Sequence, residues 1–389
     1  MIADSLRLPI SGSARTISGE GQMTWTETCE GVFVQTAPGQ EQISIAVVVP
    51  NYNHGRFLPA SLSSIAKQTR QPDEVLIIDD GSIDDSVDVI TRFLSSHPTW
   101  RLIRHSERRG VVKRLNEGVD KVRSNWVTLL GADDVLDPKY LELAEQMAAL
   151  HPAVGLICGC VEIFGLPGGR KLRPPILPHA AGGYVSPDGF RGLLRGGDNY
   201  FLGTTTMYRR KTITDLGGFD EKLGSICDGF LARQIAARHG FAFIPEVLGY
   251  WRMHGENYSV STATDPQAVS EGVQAVGEAL SREPAGLFPS NYRETFERRF
   301  RFGGARLIIM DRNVPARVRA ARIAALVYAG PFERLMLAGA LAAGTPGAIA
   351  ALAWLAIRLR PLSVPLFLRH LPMRHAILAA AKGPPYREE

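Results

Sequence analysis

The chain has 389 residues, enough for about two or three domains, with the 45% hydrophobic and 21% charged composition of an ordinary globular protein. Its four cysteines, Cys29, Cys158, Cys160 and Cys227, include no CxxC pair, so neither a zinc site nor a disulfide framework is indicated. The net charge of +5 conceals an asymmetry: residues 291–389 hold 16 Lys and Arg against 6 Asp and Glu, a basic third on an acidic body.

Residues 1–42 show no sustained period and read as a loose extension with a short strand at 31–36. They contain no long apolar run of the secretory kind, so cytoplasmic residence is expected. The ordered core begins with a β-branched run at 43–49, ended by Pro50, as in a central strand of a parallel sheet. Leu58, Leu62 and Ile65 then share one face of a helix over 57–68. A second buried strand at 74–78 is broken by Asp79-Asp80-Gly81-Ser82. A helix at 84–95, a strand at 100–104, a helix at 110–123 and a strand at 125–130 continue the alternation. This order implies βαβ units with right-handed crossovers, hence an α/β, Rossmann-type sheet flanked by helices. After the first strand the chain reads PNYNHG rather than G-x-G-x-x-G, which disfavours a dinucleotide-binding oxidoreductase.

The stretch LLGADDVL at 129–136 places two adjacent carboxylates, Asp133 and Asp134, at the end of a strand, where open α/β sheets bind ligands. Paired carboxylates repel unless a cation neutralises them, and a hard divalent ion bridging to phosphate oxygens is the natural partner. The alternative is a helix cap, a role that Asp137 beside Pro138 fills better than the pair does. Farther on, Cys158 and Cys160 face one side of an apolar strand as small core residues.

Taken in order, VVVPNYNHGRFLPASLSSIAKQT, VLIIDDGSIDDS, the Asp pair, GGFDEKLGSICDGFLARQIAARHG and YWRMHGENYS resemble the family 2 glycosyltransferases. The resemblance covers residues 43–261 and implies a GT-A-like fold. It also implies inverting transfer of a sugar from a nucleoside diphosphate sugar, with UDP- and dTDP-sugars the favoured donors. The implied acceptor is a hydroxyl of a cell-surface glycan or lipid-linked saccharide. Pro50, Tyr52, Asp79 and Asp80 would then meet the nucleotide, although Tyr52 packing in the core and an Asx-turn at 79–82 remain open. In RRGVVKRLN at 108–116, Lys113 is the candidate for the pyrophosphate, with the neighbouring basic residues on a solvated face. Where the family has D-x-D this chain reads G-A-D-D, with Gly131 in the first place. Asp133 and Asp134, joined by His254, are the expected ligands of Mn²⁺ or Mg²⁺, and Asp133 and Arg252 the expected diphosphate contacts. Cys227 stands where the family has Glu, and Asp228 holds the place of the general base at a helix N-terminus. Residues 198–206 are expected to line the sugar and acceptor cleft.

The family match ends at Asp265, which suggests an extension at 1–42, a transferase domain at 43–264 and a helical basic region at 265–389. Helices are expected at 268–280 and 292–312. The 23 uncharged residues of 335–357 are long enough to span a bilayer, but GTPG at 344–347 divides them into two short helices. The arginines of this region alternate with Leu and Ala rather than with stacking aromatics. That pattern disfavours nucleic acid and suits peripheral docking on the anionic inner face of the cell membrane. A non-catalytic nucleotide-sugar-binding or scaffolding protein is the rival reading, because Gly131 and Cys227 each replace a carboxylate.

Overall fold

The computed structural model describes residues 42–165, 182–195, 201–255 and 257–361. Beyond these it describes Leu368, Leu371, Pro372, His375 and Tyr386, and the strands at 16–18, 24–27, 33–36 and 171–173. Two units are present, Met1–Ile43 and Ser44–Glu389. In the first, β1 (Thr16–Ser18), β2 (Thr24–Glu27) and β3 (Phe33–Thr36) form an antiparallel meander. This corrects the reading of 1–42 as a loose extension with one strand. Segments of three or four residues are too short for an alternating pattern to register, although Thr, Ile, Val, Trp and Phe favour them.

The second unit is built on β4 (Ile45–Asn51), whose Ile, Ala and Val side chains are all buried because both faces of the sheet are covered. Beside it lie β5 (Glu74–Asp79), β6 (Arg101–Arg104) and β7 (Trp126–Leu129), all parallel. Helices α1 (Leu58–Ala66), α2 (Ser86–Ser96) and α3 (Val111–Lys121) make the crossovers. The chain runs from β4 outward through β5 to β6 and returns to β7 on the other side of β4. The order therefore reverses between β4 and β7, the switch point at which such sheets open a crevice.

The remaining strands are β8 (Val135–Leu136), β9 (Leu156–Phe164), β10 (Lys171–Arg173), β11 (Gly183–Val185), β12 (Thr206–Arg209) and β13 (Phe241–Arg252). The main order is β11-β13-β9-β12-β7-β4-β5-β6, with β10 beside β9 and β8 beside β13. Because β12 is antiparallel to both β7 and β9, the sheet is mixed. Helices α4 (Tyr140–Leu150), α5 (Pro187–Leu194), α6 (Arg210–Asp215) and α7 (Cys227–His239) pack around it.

Among the described residues six more helices follow: α8 (Tyr258–Thr264), α9 (Pro266–Ser281), α10 (Tyr292–Met310), α11 (Ala316–Leu326), α12 (Pro331–Ala342) and α13 (Gly344–Leu359). Their buried residues join those of the sheet in one continuous apolar core. The uncharged stretch divides at Ala343 and Gly344, where φ is +72°, and Pro346 sits in the first turn of α13. Among the described residues no helix is long and apolar enough to cross a membrane. Part of the basic excess is internal. Buried Arg301 donates to the Leu326 carbonyl at 2.7 Å, and buried Arg319 to that of Ile309 at 2.6 Å.

At the α12–α13 contact, a Cβ on Gly347 would lie 1.6 Å from the Ala340 carbonyl oxygen. Gly347→Val is therefore expected to lower stability by about 2–3 kcal/mol in a denaturant melt. Gly339→Ala serves as the control, since its Cβ would meet nothing within 4 Å; better helix propensity leaves it neutral or stabilised.

Candidate active site

The carboxyl ends of β4 and β7 open into a cleft of about 910 Å³. At one end, Pro50, Tyr52, Asp80 and Lys113 line it, and the Arg108 guanidinium lies 4.3 Å from the Tyr52 ring centre. Lys113 is exposed on the first turn of α3.

Asp79 and Asp80 divide their work. Asp79 is fully buried and does not line the cleft; it accepts from Asn51 Nδ2 at 2.8 Å, Ser82 Oγ at 2.6 Å and the Ser82 amide at 3.1 Å. It ties the ends of β4 and β5 together and closes the turn that Gly81 makes at φ +80°. Asp80 reaches toward α3, accepting from the Arg109 and Gly110 amides at 2.9 and 2.7 Å and from Arg114 Nε at 2.6 Å. Burial alone would raise the Asp80 carboxyl, but these donors outweigh it and hold it below the usual carboxylate range. Arg114 is buried and also contacts Glu117 and His105, each at 2.9 Å. Its expected place on a solvated helix face is thus corrected, because the partner carboxylate comes from another strand.

The acidic pair divides as well. Asp134 is buried, accepting from Thr204 Oγ1 and, at 3.0 Å, from the Arg252 amide. Burial and the neighbouring Asp133 charge push its carboxyl well up. Asp133 Oδ2 lies 2.9 Å from His254 Nε2. Burial would raise Asp133, yet the His254 hydrogen bond and the nearby His54 hold it below the ordinary range. His54, Asp133 and His254 each offer one ligand atom, and these atoms lie within 4.8 Å of one another. Burial also lowers the His54 ring, favouring the neutral form that binds metals. The buried Nδ1 of His254 has no hydrogen-bond partner among the described residues. Such a set fits a cation. A Cβ on Gly131 would lie 2.8 Å from Asp133 Oδ1, so a carboxylate there would crowd the same space.

Of the three expected metal ligands, Asp133 and His254 come together, while Asp134 turns to Thr204 and the backbone of β13. His54 was missed. Its only signal was its place just beyond a strand end, and its companions lie 79 and 200 positions away. Arg252 sits behind the cluster, buried, with its guanidinium 4.7 Å from Phe57 and 4.4 Å from Phe164 and Nε 2.8 Å from the Asp133 carbonyl oxygen.

Asp228 lies in the first turn of α7, accepting from the Gly229 amide at 2.6 Å. Its Oδ2 faces Gly203, where a Cβ would approach to 2.9 Å. Burial raises the Asp228 carboxyl, while the Gly229 amide and Arg233 pull partly against it. Asn116 of α3 fixes the preceding turn, accepting from the Phe219 amide at 2.7 Å and donating to its carbonyl at 2.9 Å. Of residues 198–206, Phe201–Thr204 line the cleft, and 198–200 fall outside the described residues. The far wall comes from α8 and α10, for which sequence reading assigned no site role.

Residues 46–217 match the model of Glycosyl transferase family 2. An uncharacterised glycosyltransferase of Nostoc is 26% identical over 281 residues, covering 71% of this chain and 81% of that protein. Glycosyltransferase GlyG of Streptococcus pneumoniae is 30% identical over 102 residues, which cover 26% of this chain and only 34% of GlyG. Staphylococcus aureus TarS 1–349, solved with UDP-GlcNAc, superposes with a TM-score of 0.54 at 15% identity, over 82% of this chain and 92% of that one. Mannosyltransferase PcManGT of Pyrobaculum calidifontis, solved with GDP-Man and Mn²⁺, gives 0.50 at 21%, over 88% and 87%. At these identities the two structures speak to fold alone. Residues 46–217, a little under half of the chain, thus match glycosyl transferase family 2, and the fold is GT-A-like, as in the glycosyltransferases it resembles.

Proposed function

We propose that the protein moves a sugar, with inversion, from a nucleoside diphosphate sugar to an acceptor hydroxyl of a cell-surface glycan or lipid-linked saccharide. The observation that carries this reading is a single cleft lined by Tyr52, Asp80 and Lys113, the His54–Asp133–His254 cluster and Asp228. Pro50, Tyr52 and Asp80 border the base and ribose, and Lys113 meets the diphosphate. Asp79 and Arg252 act from behind, holding the 79–82 turn and the Asp133 backbone. Asp228 takes the acceptor proton as the acceptor oxygen bonds to the anomeric carbon and the diphosphate departs from the opposite face. His54, Asp133 and His254 would hold a divalent cation, which when bound screens the charge of the leaving diphosphate. Two imidazoles and one carboxylate suit Mn²⁺ better than Mg²⁺. UDP- and dTDP-sugars remain the favoured donors; TarS was solved with UDP-GlcNAc and PcManGT with GDP-Man.

Docking on the inner face of the cell membrane is part of this proposal. Phe332, Leu335 and Met336 on α12 are 73%, 69% and 60% exposed, at helical spacing beside Arg334. A nucleotide-sugar-binding protein without turnover is the rival, favoured by the non-acidic Gly131 and Cys227.

A thermal-shift screen against UDP, dTDP, GDP and CMP, each with Mn²⁺ or EDTA, tests the donor and the cation. One diphosphate is expected to raise the melting temperature by roughly 3 °C at saturation with Mn²⁺, and to lose most of that effect in EDTA. Equal shifts in EDTA would remove the cation from the proposal. No shift with any nucleotide would remove the donor.

A further inference from the structure

The cleft does not end at Asp228. It continues along a wall in which Phe300, Gly303, Gly304 and Leu307 occupy one face of α10, at i, i+3, i+4 and i+7. Val260 and Ala263 of α8 complete that wall, and Ile226, two residues before Asp228, joins it to the site of the expected chemistry. The two helices are held in close contact, since a Cβ on Gly304 would lie 2.0 Å from the Ala263 carbonyl oxygen. Gly303, one position earlier, is the reverse case: a Cβ there would meet nothing within 4 Å, so the wall is hollow where it faces the cleft. Val260, Ala263, Phe300 and Leu307 are each only half-buried.

We infer that this hollow receives the alkyl or isoprenoid chain of a lipid-linked acceptor, whose hydroxyl-bearing head lies at Asp228. The inference rests on the glycosyltransferase reading and narrows its acceptor to the lipid-linked class. Tyr258, Ser259 and Arg299 line the cleft beside this wall, but Val260, Ala263, Phe300, Gly303, Gly304 and Leu307 themselves offer no side-chain partner for the hydroxyls of a saccharide pressed against them. A hydrocarbon chain gains from the same surface, by about 0.8 kcal/mol per buried methylene, or roughly fourfold in affinity.

The test uses the full chain and a series of methyl, butyl, hexyl and octyl β-D-glucosides, held below micelle concentration and followed by calorimetry with UDP and Mn²⁺ present. Affinity is expected to climb roughly threefold or more with each methylene over part of the series. Gly303→Trp fills the hollow and is expected to abolish that climb, and Gly303→Leu to shorten it by a few methylenes; thermal melting checks that both variants fold. Equal affinity across the series overturns the inference, as does a climb that survives both substitutions, which would place the alkyl chain on exposed α12 instead. UDP binding is read separately in the same samples. Its loss in the unsubstituted protein counts against the donor reading, whereas its presence without a chain-length effect counts against the apolar acceptor alone.

Discussion

Asp228→Asn is expected to cut sugar transfer by roughly 10²–10⁴-fold while nucleotide binding stays within error. The amide keeps the shape of the side chain and its contact with the Gly229 amide, but cannot take a proton from the acceptor. Stability should move the other way. Burial raises the Asp228 carboxyl above its unfolded value, so the folded protein favours the protonated form and the ionised group costs stability as pH rises through the folded pKa. Asn removes that cost, and its melting temperature at neutral pH is expected to equal or exceed that of the parent. Activity in the parent should fall on the acid side at a higher pH than an ordinary Asp would give, since the base must be ionised to act. Loss of transfer with an unchanged or raised melting point identifies a catalytic group. Loss of both would identify a structural one, and unchanged transfer would favour the non-catalytic rival.

The second large effect is on stability. Arg114→Met is expected to destabilise the fold by about 3–5 kcal/mol, because it leaves Asp80 buried without its cation. The Arg114 and Asp80 side chains are 6% and 4% exposed, so water offers little compensation. Asp80→Asn in the same chain should recover part of the loss, making the double variant less damaged than the two single changes added together. The pH dependence has a definite sign. The Asp80 carboxyl is held below its unfolded value, so its contribution is present above the ordinary carboxylate pKa and is lost as pH falls through the lowered folded one. Acid melts should show this loss in the parent and a smaller one in Arg114→Met, where only the Arg109 and Gly110 amides still hold the carboxylate.

The order of elements was legible because the apolar periods are strong. The runs expected at 43–49, 57–68 and 74–78 appear as Ile45–Asn51, Leu58–Ala66 and Glu74–Asp79. Helices expected at 268–280 and 292–312 appear as Pro266–Ser281 and Tyr292–Met310. Neighbouring carboxylates were harder. Adjacent residues at a strand end point in different directions, and only the strand's partners decide which of Asp79 and Asp80 faces the cleft. Asp133 and Asp134 pose the same problem, resolved by Thr204 and the Arg252 amide from distant segments. His54 carries no local sign of its company, because its neighbours arrive through β7 and the end of β13. On α10 the apolar spacing identified a helix, but a face turned to a cavity reads the same as one turned to a core.

The wall contributed by α8 and α10 bears on how such a protein can be recombined. Cleft residues of the proposed nucleotide end lie between 50 and 134, while Asp228 and the apolar wall lie between 226 and 307. The matched family segment, 46–217, ends between them. A chimera joined near the turn at Gly217-Gly218 would take its nucleotide preference from one parent and its acceptor preference from the other. A graft of the matched segment alone would import the proposed nucleotide end without His254 and would rely on the host for that ligand and for the acceptor side. On the proposed function, donor and acceptor preference would therefore be largely separable by one crossover, with His254 of the cation cluster the donor-side group that crosses with the acceptor half.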